Sequence, residues 1–277
     1  MSDTRRVHPA LAALANLVGI GLGYVYLGRL RYAFALLGVA VGVLAIAGWS
    51  RLVFVPDAIV FLAVTAALIG LFPIVHCAVM AVRVPERAAV AYNRWWFYGL
   101  WILVSWFLTD VIVATRPTLF GFEPFRLPAA SMAPTLDRGD FIMADTWHYD
   151  REQPQYGDLV VFSVPGQADI HYVKRIIGLP GDRIELRDDV LIRNGGSIKE
   201  HYLLLSSRRS NAMRNFGPAE VPDEHYFVLG DNRHNSRDSR FFGSVGRKFL
   251  HGRVVHRWFS YDDGVRWDRF PEHVGEN

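Results

Sequence analysis

The sequence predicts two structural classes in one chain of 277 residues, a multi-pass α-helical membrane region followed by a mostly-β, antiparallel domain. Three observations carry this reading. Hydrophobic residues make up 51% of the chain and the mean hydropathy is +0.14, both high for a soluble protein. The apolar excess is concentrated before about residue 116, where it forms four long runs. From Phe120 onward it gives way to short apolar runs separated by turn residues, as strands require. The chain therefore divides into residues 1–96 with three apolar segments, residues 97–115 as a last transmembrane anchor, and residues 116–277 as a β-rich domain.

The apolar segments cover residues 8–28, 32–49, 58–82 and 97–115. Each approaches the roughly 20 residues needed to cross the hydrocarbon core. Arg5 and Arg6 before the first run imitate a secretory signal, but three more apolar segments follow, so an anchor is the better reading. Gly19, Gly21 and Gly23 weaken that first segment as a helix. Arginines set the orientation, because cytoplasmic loops carry the basic excess. Four crossings would leave Arg29, Arg31, Arg83, Arg87 and Arg94 in the cytoplasm and Arg5, Arg6 and Arg51 outside. If the first segment lies in the interface or re-enters, only Arg51 stays outside, which fits better. Both arrangements put residues 116–277 on the extracytoplasmic side of the cell membrane. Asp110, inside the fourth segment, is expected near its outer end, within reach of headgroups or water.

In the second half, residues 141–147, 158–164, 171–177, 183–186, 190–193 and 226–229 are strand candidates. Gly-Asp pairs at 139–140, 157–158, 181–182 and 230–231, and Asn-Gly-Gly at 194–196, punctuate them and read as turn chemistry alone. Phe120, Phe122, Phe125 and Leu127 lead into this domain as its first strand or as a lip dipping into the outer leaflet. A sequence pI near 9.1 comes with a formal charge of only +3 and no basic block, so nucleic acid is not an expected partner. Cys77 is the single cysteine, which excludes a disulfide framework and a cysteine metal site. No HExxH, Walker or dinucleotide motif is present, so neither metal nor cofactor is expected.

Three runs in the second half are dense in polar residues: LPAASMAPTLDRGD (127–140), DIHYVKRIIGLPGD (169–182) and FVLGDNRHNSRDSRFFG (227–243). The middle one holds Lys174, one of only three lysines among 30 basic residues. Lysine can lose its proton when desolvated and arginine effectively cannot. Strand alternation gives Lys174 the company of Tyr172 and Ile176, with His171, Val173, Arg175 and Ile177 on the other face. An ammonium among apolar neighbours has its pKa pushed down. Taken singly, Lys174 also reads as a snorkelling lysine, Ser131 as a turn cap and the 227–243 run as a solvated loop.

Together the three runs resemble signal peptidase I, the membrane-bound serine endopeptidase family that removes signal peptides from exported proteins. SMAPTLDRGD looks like the family's nucleophile motif, YVKRIIGLPGD like its general-base motif and GDNRHNSRDSRFFG like its C-terminal signature. The similarity spans about residues 98–260 and leaves residues 1–97 unexplained. It implies a catalytic domain of signal peptidase type, with Ser131 as nucleophile and neutral Lys174 as its general base. It also implies that Ser236 orients the lysine amine by a hydrogen bond, and that Asp231 with Arg175 and Asp238 with Arg240 form loop-holding ion pairs. The implied partners are precursor proteins with signal peptides, together with membrane lipid. Many members carry Ser or Gly two residues before the nucleophile. Here Ala129 stands there, leaving the Ser131 backbone N–H as the oxyanion donor. A serine hydroxyl needs an adjacent base, and lysine serves only when burial lowers its pKa, so chemistry and resemblance agree. The rival readings are a Ser-His-Asp hydrolase using His171, a specialised processing peptidase of the same family, and a catalytically inactive membrane scaffold. No GxSxG elbow surrounds Ser131, which disfavours the first.

Overall fold

The computed structural model describes residues 4–88, 90, 92, 94–203, 214–269 and 272–274, and it divides between Phe120 and Gly121 into two units. Among the described residues the first unit holds five α-helices: α1 (Pro9–Val18), α2 (Leu22–Tyr26), α3 (Leu30–Trp49), α4 (Pro56–Arg83) and α5 (Trp95–Phe120). The last three are long and apolar enough to cross a membrane. Their outer surfaces are themselves apolar. On α4, for instance, Phe61, Leu68, Leu71, Phe72 and Val75 are all exposed. A helix hydrophobic all round belongs in a protein core or a bilayer.

The first apolar segment is broken in two. Its pieces of 10 and 5 residues are each too short to span the hydrocarbon. Backbone groups at such a break must find partners inside the protein when the surroundings are apolar. Two indoles supply them, Trp106 Nε1 donating to Val18 O and Trp101 Nε1 to Ile20 O, each at 2.9 Å. Asn16 joins the pieces by accepting the Gly23 N–H at 3.2 Å and donating to Pro73 O of α4 at 3.3 Å. A two-stranded ribbon pairs β1 (Thr4–Arg6) with β2 (Glu86–Ala88), opposing Arg6 to Glu86. The chain before α1 thus lies beside the chain after α4.

Helix α5 runs on through Pro117 to Phe120, five residues beyond the 97–115 anchor expected from the sequence. Pro117 lies inside the helix near its end. Asp110 consequently lies ten residues from the helix end, about 15 Å along the axis, deeper than the sequence suggested. It lines a cleft with Asn16, Ser105 and Thr109.

The second unit is mostly β and antiparallel. Its larger sheet has β3 (Phe122–Arg126), β4 (Asp140–Asp145), β5 (Leu159–Val164), β6 (Gln167–Gly178), β11 (His225–Leu229), β12 (Val245–Gly246), β13 (Leu250–Ser260) and β14 (Glu272–His273). Their order is β12-β11-β6-β5-β13-β4-β3, with β14 also on β13. A smaller sheet has the order β10-β7-β8-β9, from β7 (Arg183–Arg187), β8 (Val190–Arg193), β9 (Gly196–Ile198) and β10 (Phe216–Glu220). Short helices α6 (His148–Arg151) and α7 (Ser239–Phe242) complete it. The two strand prolines, Pro124 in β3 and Pro218 in β10, both sit at sheet edges, where a missing N–H costs no ladder bond. Phe122 and Leu127 are buried and Phe125 packs on the core, so this stretch is a strand, not a lip.

Alternation sends Val160, Phe162, Tyr172 and Ile176 to one cluster with Tyr226 and Val228. Leu159, Val161 and Val173 meet Met132, Leu136, Ile142 and Val254 in another. Three of the four Gly-Asp pairs are one repeated device. Gly139, Gly157 and Gly181 take φ of +84° to +88°, and the following aspartate turns back to accept a backbone N–H three residues earlier. Those bonds join Asp140 to Asp137 N, Asp158 to Gln155 N and Asp182 to Leu179 N at 2.8–2.9 Å. Gly230-Asp231 does neither.

Ile142 is fully buried at the middle of β4. Ile142→Ala should lower unfolding free energy by roughly 2–5 kcal/mol through lost burial and a residual cavity. Thermal unfolding of the detergent-solubilised chain measures it, and an unchanged melting temperature would contradict the core assignment.

Candidate active site

The turn after β3 carries Ser131, and β6 carries Lys174. β11 leads into the 230–240 loop with Asp231, Ser236, Asp238 and Arg240. The fold brings these together. Lys174 is 2% exposed, and its Nζ lies 2.7 Å from Ser131 Oγ and 2.8 Å from the Val173 carbonyl. Burial pushes the amine down from its ordinary 10.5 to about 8, against the opposing pull of the Asp238 and Asp231 carboxylates.

Arg175, the next residue on the strand, points the other way into a bidentate pair with Asp231, at 2.9 and 2.7 Å. Thr135 Oγ1 donates to the same carboxylate at 2.6 Å, and Arg175 Nη1 reaches Gly157 O at 3.0 Å. Asp238 and Arg240 form a second bidentate pair, both bonds at 2.8 Å, while Asp238 also accepts the Gly230 N–H at 3.1 Å. Buried ions hold their charge only when paired and hydrogen-bonded, so the loop is fixed by its own charges.

The turn and the loop are also joined backbone to backbone. Asn232 N donates to Ser131 O at 3.2 Å, and Asn232 Nδ2 to Ala130 O at 3.1 Å. Gly230 stands where these segments touch. A Cβ there would lie 2.2 Å from Ser236 Oγ and 2.5 Å from Ser131 O, both impossible contacts. The glycine of the fourth Gly-Asp pair thus serves close approach, not a turn.

Ser236 departs from the expectation. Its Oγ is buried with no hydrogen-bond partner among the described residues, so the expected bond to the lysine amine is not made. The amine is instead held by the serine across the site and by the carbonyl of its own strand. His171 lines the same cavity as Ser131, but its ring makes no hydrogen bond to the serine, whose hydroxyl is held by Lys174. The His171 ring packs on Phe125 and His251, with centroids 5.2 and 4.9 Å away.

A cavity of about 270 Å³ opens beside the pair, lined by Leu127, Ala129, Ser131, Met132, Tyr172 and Lys174 among others. β5 flanks β6 over Gln167–Arg175, but β11 pairs with it only from Arg175 to Gly178. Among the described residues, no strand covers the other edge of residues 170–174. The Ser131 N–H donates to no partner among them either.

The family model described as "Signal peptidase, peptidase S26" matches residues 100–259. "Signal peptidase I" of Bacillus licheniformis is 36% identical over 160 residues, covering 55% of this chain and 85% of its own length. "Signal peptidase I S" of Bacillus subtilis (strain 168) is 42% identical over 137 residues, covering 47% and 72%. A crystal structure of a signal peptidase I from Enterococcus faecalis V583 aligns at 39% identity over 38% of this chain and 98% of its own, with a TM-score of 0.33. With more than half of its length matched by the family model, the chain belongs to the signal peptidase family S26 and is a serine endopeptidase.

Proposed function

We propose that the chain cleaves signal peptides from exported precursor proteins at the membrane, with Ser131 as nucleophile and neutral Lys174 as general base. The observation that carries this is the 2.7 Å contact between Ser131 Oγ and a lysine amine that is almost wholly buried. While protonated, the amine donates to the hydroxyl. After losing its proton it offers a lone pair along the same line, and the contact reverses to accept the Ser131 hydrogen as oxygen attacks the peptide carbonyl. The ammonium so formed then returns the proton to the leaving amine. The free Ser131 N–H stabilises the developing oxyanion, with no hydroxyl at Ala129 to assist.

The edge of residues 170–174 that no described strand covers gives an extended substrate a place to lie beside β6, and the adjoining cavity selects small side chains near the scissile bond. Ser131→Ala and Lys174→Arg should each reduce cleavage of a precursor by roughly 10³-fold or more, since arginine keeps the charge but cannot take the proton. Ser236→Ala should cost less than about tenfold, because its hydroxyl makes no bond to lose. Robust activity in Lys174→Arg would end the Ser-Lys reading, and a loss in Ser236→Ala as deep as that of Ser131→Ala would show that the serine bonds the amine during reaction.

Activity should rise with pH through an apparent pKa near the 8 of the buried amine, because only its neutral form is a base. A profile of kcat/KM that is flat from pH 6 to 9, with chemistry rate-limiting, would contradict this.

The pairing of β1 with β2 supports one topology over the other. Paired strands share one side, which fits a broken first segment that enters and returns while α3, α4 and α5 cross. Arg5, Arg6, Arg29, Arg31, Arg83, Arg87 and Arg94 then share the cytoplasmic side, with Arg51 alone opposite. Residues from 121 onward lie outside. Glu220→Cys adds an exposed thiol to the one buried native thiol, Cys77. An impermeant maleimide should label it in intact spheroplasts, and labelling only after lysis would refute the topology.

A further inference from the structure

The buried charges around Lys174 come in pairs, and one pair was not visible in the polar runs. Beside Asp231 with Arg175 and Asp238 with Arg240 stands Glu200 with Arg233, side chains only 4% and 3% exposed. Arg233 Nη2 donates to Glu200 Oε1, and the Tyr202 hydroxyl donates to the same oxygen. Arg233 in turn shapes the loop. Its Nε donates to Gly230 O at 3.2 Å, and its carbonyl accepts Arg240 Nη2 at 2.7 Å. The Arg175 guanidinium lies 4.0 Å over the Tyr202 ring, tying this segment to the lysine strand as well.

A guanidinium has no accessible neutral form, so Arg233 must carry its charge into the interior. Its Nη1 has no partner among the described residues, and Glu200 is the carboxylate it bonds. The groups around the amine are Arg175 on its own strand, Asp231 and Asp238 from the loop, and Arg237 and His171 on the cavity wall. Those acting on Arg233 are Glu200, Tyr202 and Asp231. Three carboxylates and three guanidiniums therefore balance in the buried set.

We propose that Glu200 is a positioning residue for the Ser131–Lys174 pair. It neutralises Arg233, fixes the 230–240 loop against the serine turn, and keeps the buried charge around the lysine amine balanced. This rests on the Ser-Lys reading above. Removing either member of the pair leaves one buried charge uncompensated, and the sign of that charge decides how the amine responds.

The test compares kcat/KM against pH for one precursor, using full-length detergent-solubilised wild type, Glu200→Gln, Arg233→Gln and the double variant. Glu200→Gln leaves a positive charge, disfavours the ammonium and should move the apparent pKa down by up to about one unit, the order expected for one uncompensated charge beyond contact distance at an effective dielectric near 20. Arg233→Gln leaves a negative charge and should move it up by a similar amount. The double variant should return to within about 0.3 units of wild type. The plateau rate should fall in both single variants, with KM less affected than kcat. Shifts absent or of one sign in the single variants would overturn the inference. Unfolding of one single variant leaves the other with its own predicted sign. Unfolding of both with a folded double variant supports charge balance, and unfolding of all three reduces Glu200 to a purely structural role. A wild-type profile without an ionisation near 8 would defeat the Ser-Lys reading itself, whatever Glu200 does.

Discussion

The second unit is organised around one constraint: a lysine amine is buried deeply enough to favour its neutral form and still touches a serine. Burial alone would suffice for the first requirement. The second forces a turn, a strand and a loop to converge on one point, and it brings carboxylates close enough to oppose the deprotonation that burial promotes. The sequence meets this with arginines. Each carboxylate beside the amine is bonded by a guanidinium, so its pull on the ammonium is partly spent on a nearer cation.

The same arrangement explains the loop's unusual density of charge. A solvated loop with scattered salt bridges would have contributed little to stability. Here Asp231, Arg233, Asp238 and Arg240 are all buried, and each bonds either another charge or a backbone group of the loop. Replacing them with apolar residues of similar volume could hold a loop equally well in thermodynamic terms. Such a loop would lack the directional bonds that place Gly230 against the serine turn.

How much of this was legible in the sequence depended on whether local pattern or distant pairing set the residue's role. All six proposed strands were found, because apolar alternation is a local signal. β13 was not among them, although it is central in the sheet. Its buried positions include His256 and Arg257, and Arg253 pairs with Asp158, so it reads as polar while lying among strands. Ser131 and Lys174 could be named because their neighbourhoods are distinctive. Glu200 could not, since nothing around residue 200 points to Arg233, which is 33 positions away. The Gly-Asp recurrence was read as uniform, and only coordinates separate three turns that share a backbone bond from a fourth whose glycine is a contact surface. The division of the first apolar segment was half legible, in that its glycines weakened the helix while the indoles that seal the break lie more than 80 residues on.

A stretch of β6 that no described strand covers has a cost that catalysis does not reveal. Unpaired sheet edges are where folded proteins adhere to one another, and most chains blunt them with charge, proline or a covering loop. Residues 170–174 cannot be blunted in that way if a peptide is to lie along them. The protection has to come from competition and from place. A protein concentrated in two dimensions beside a stream of extended chains keeps its edge intermittently occupied, while the same chain extracted and concentrated in solution has only its own copies to offer. Self-association on removal from the bilayer would then be the price of an edge kept open for others.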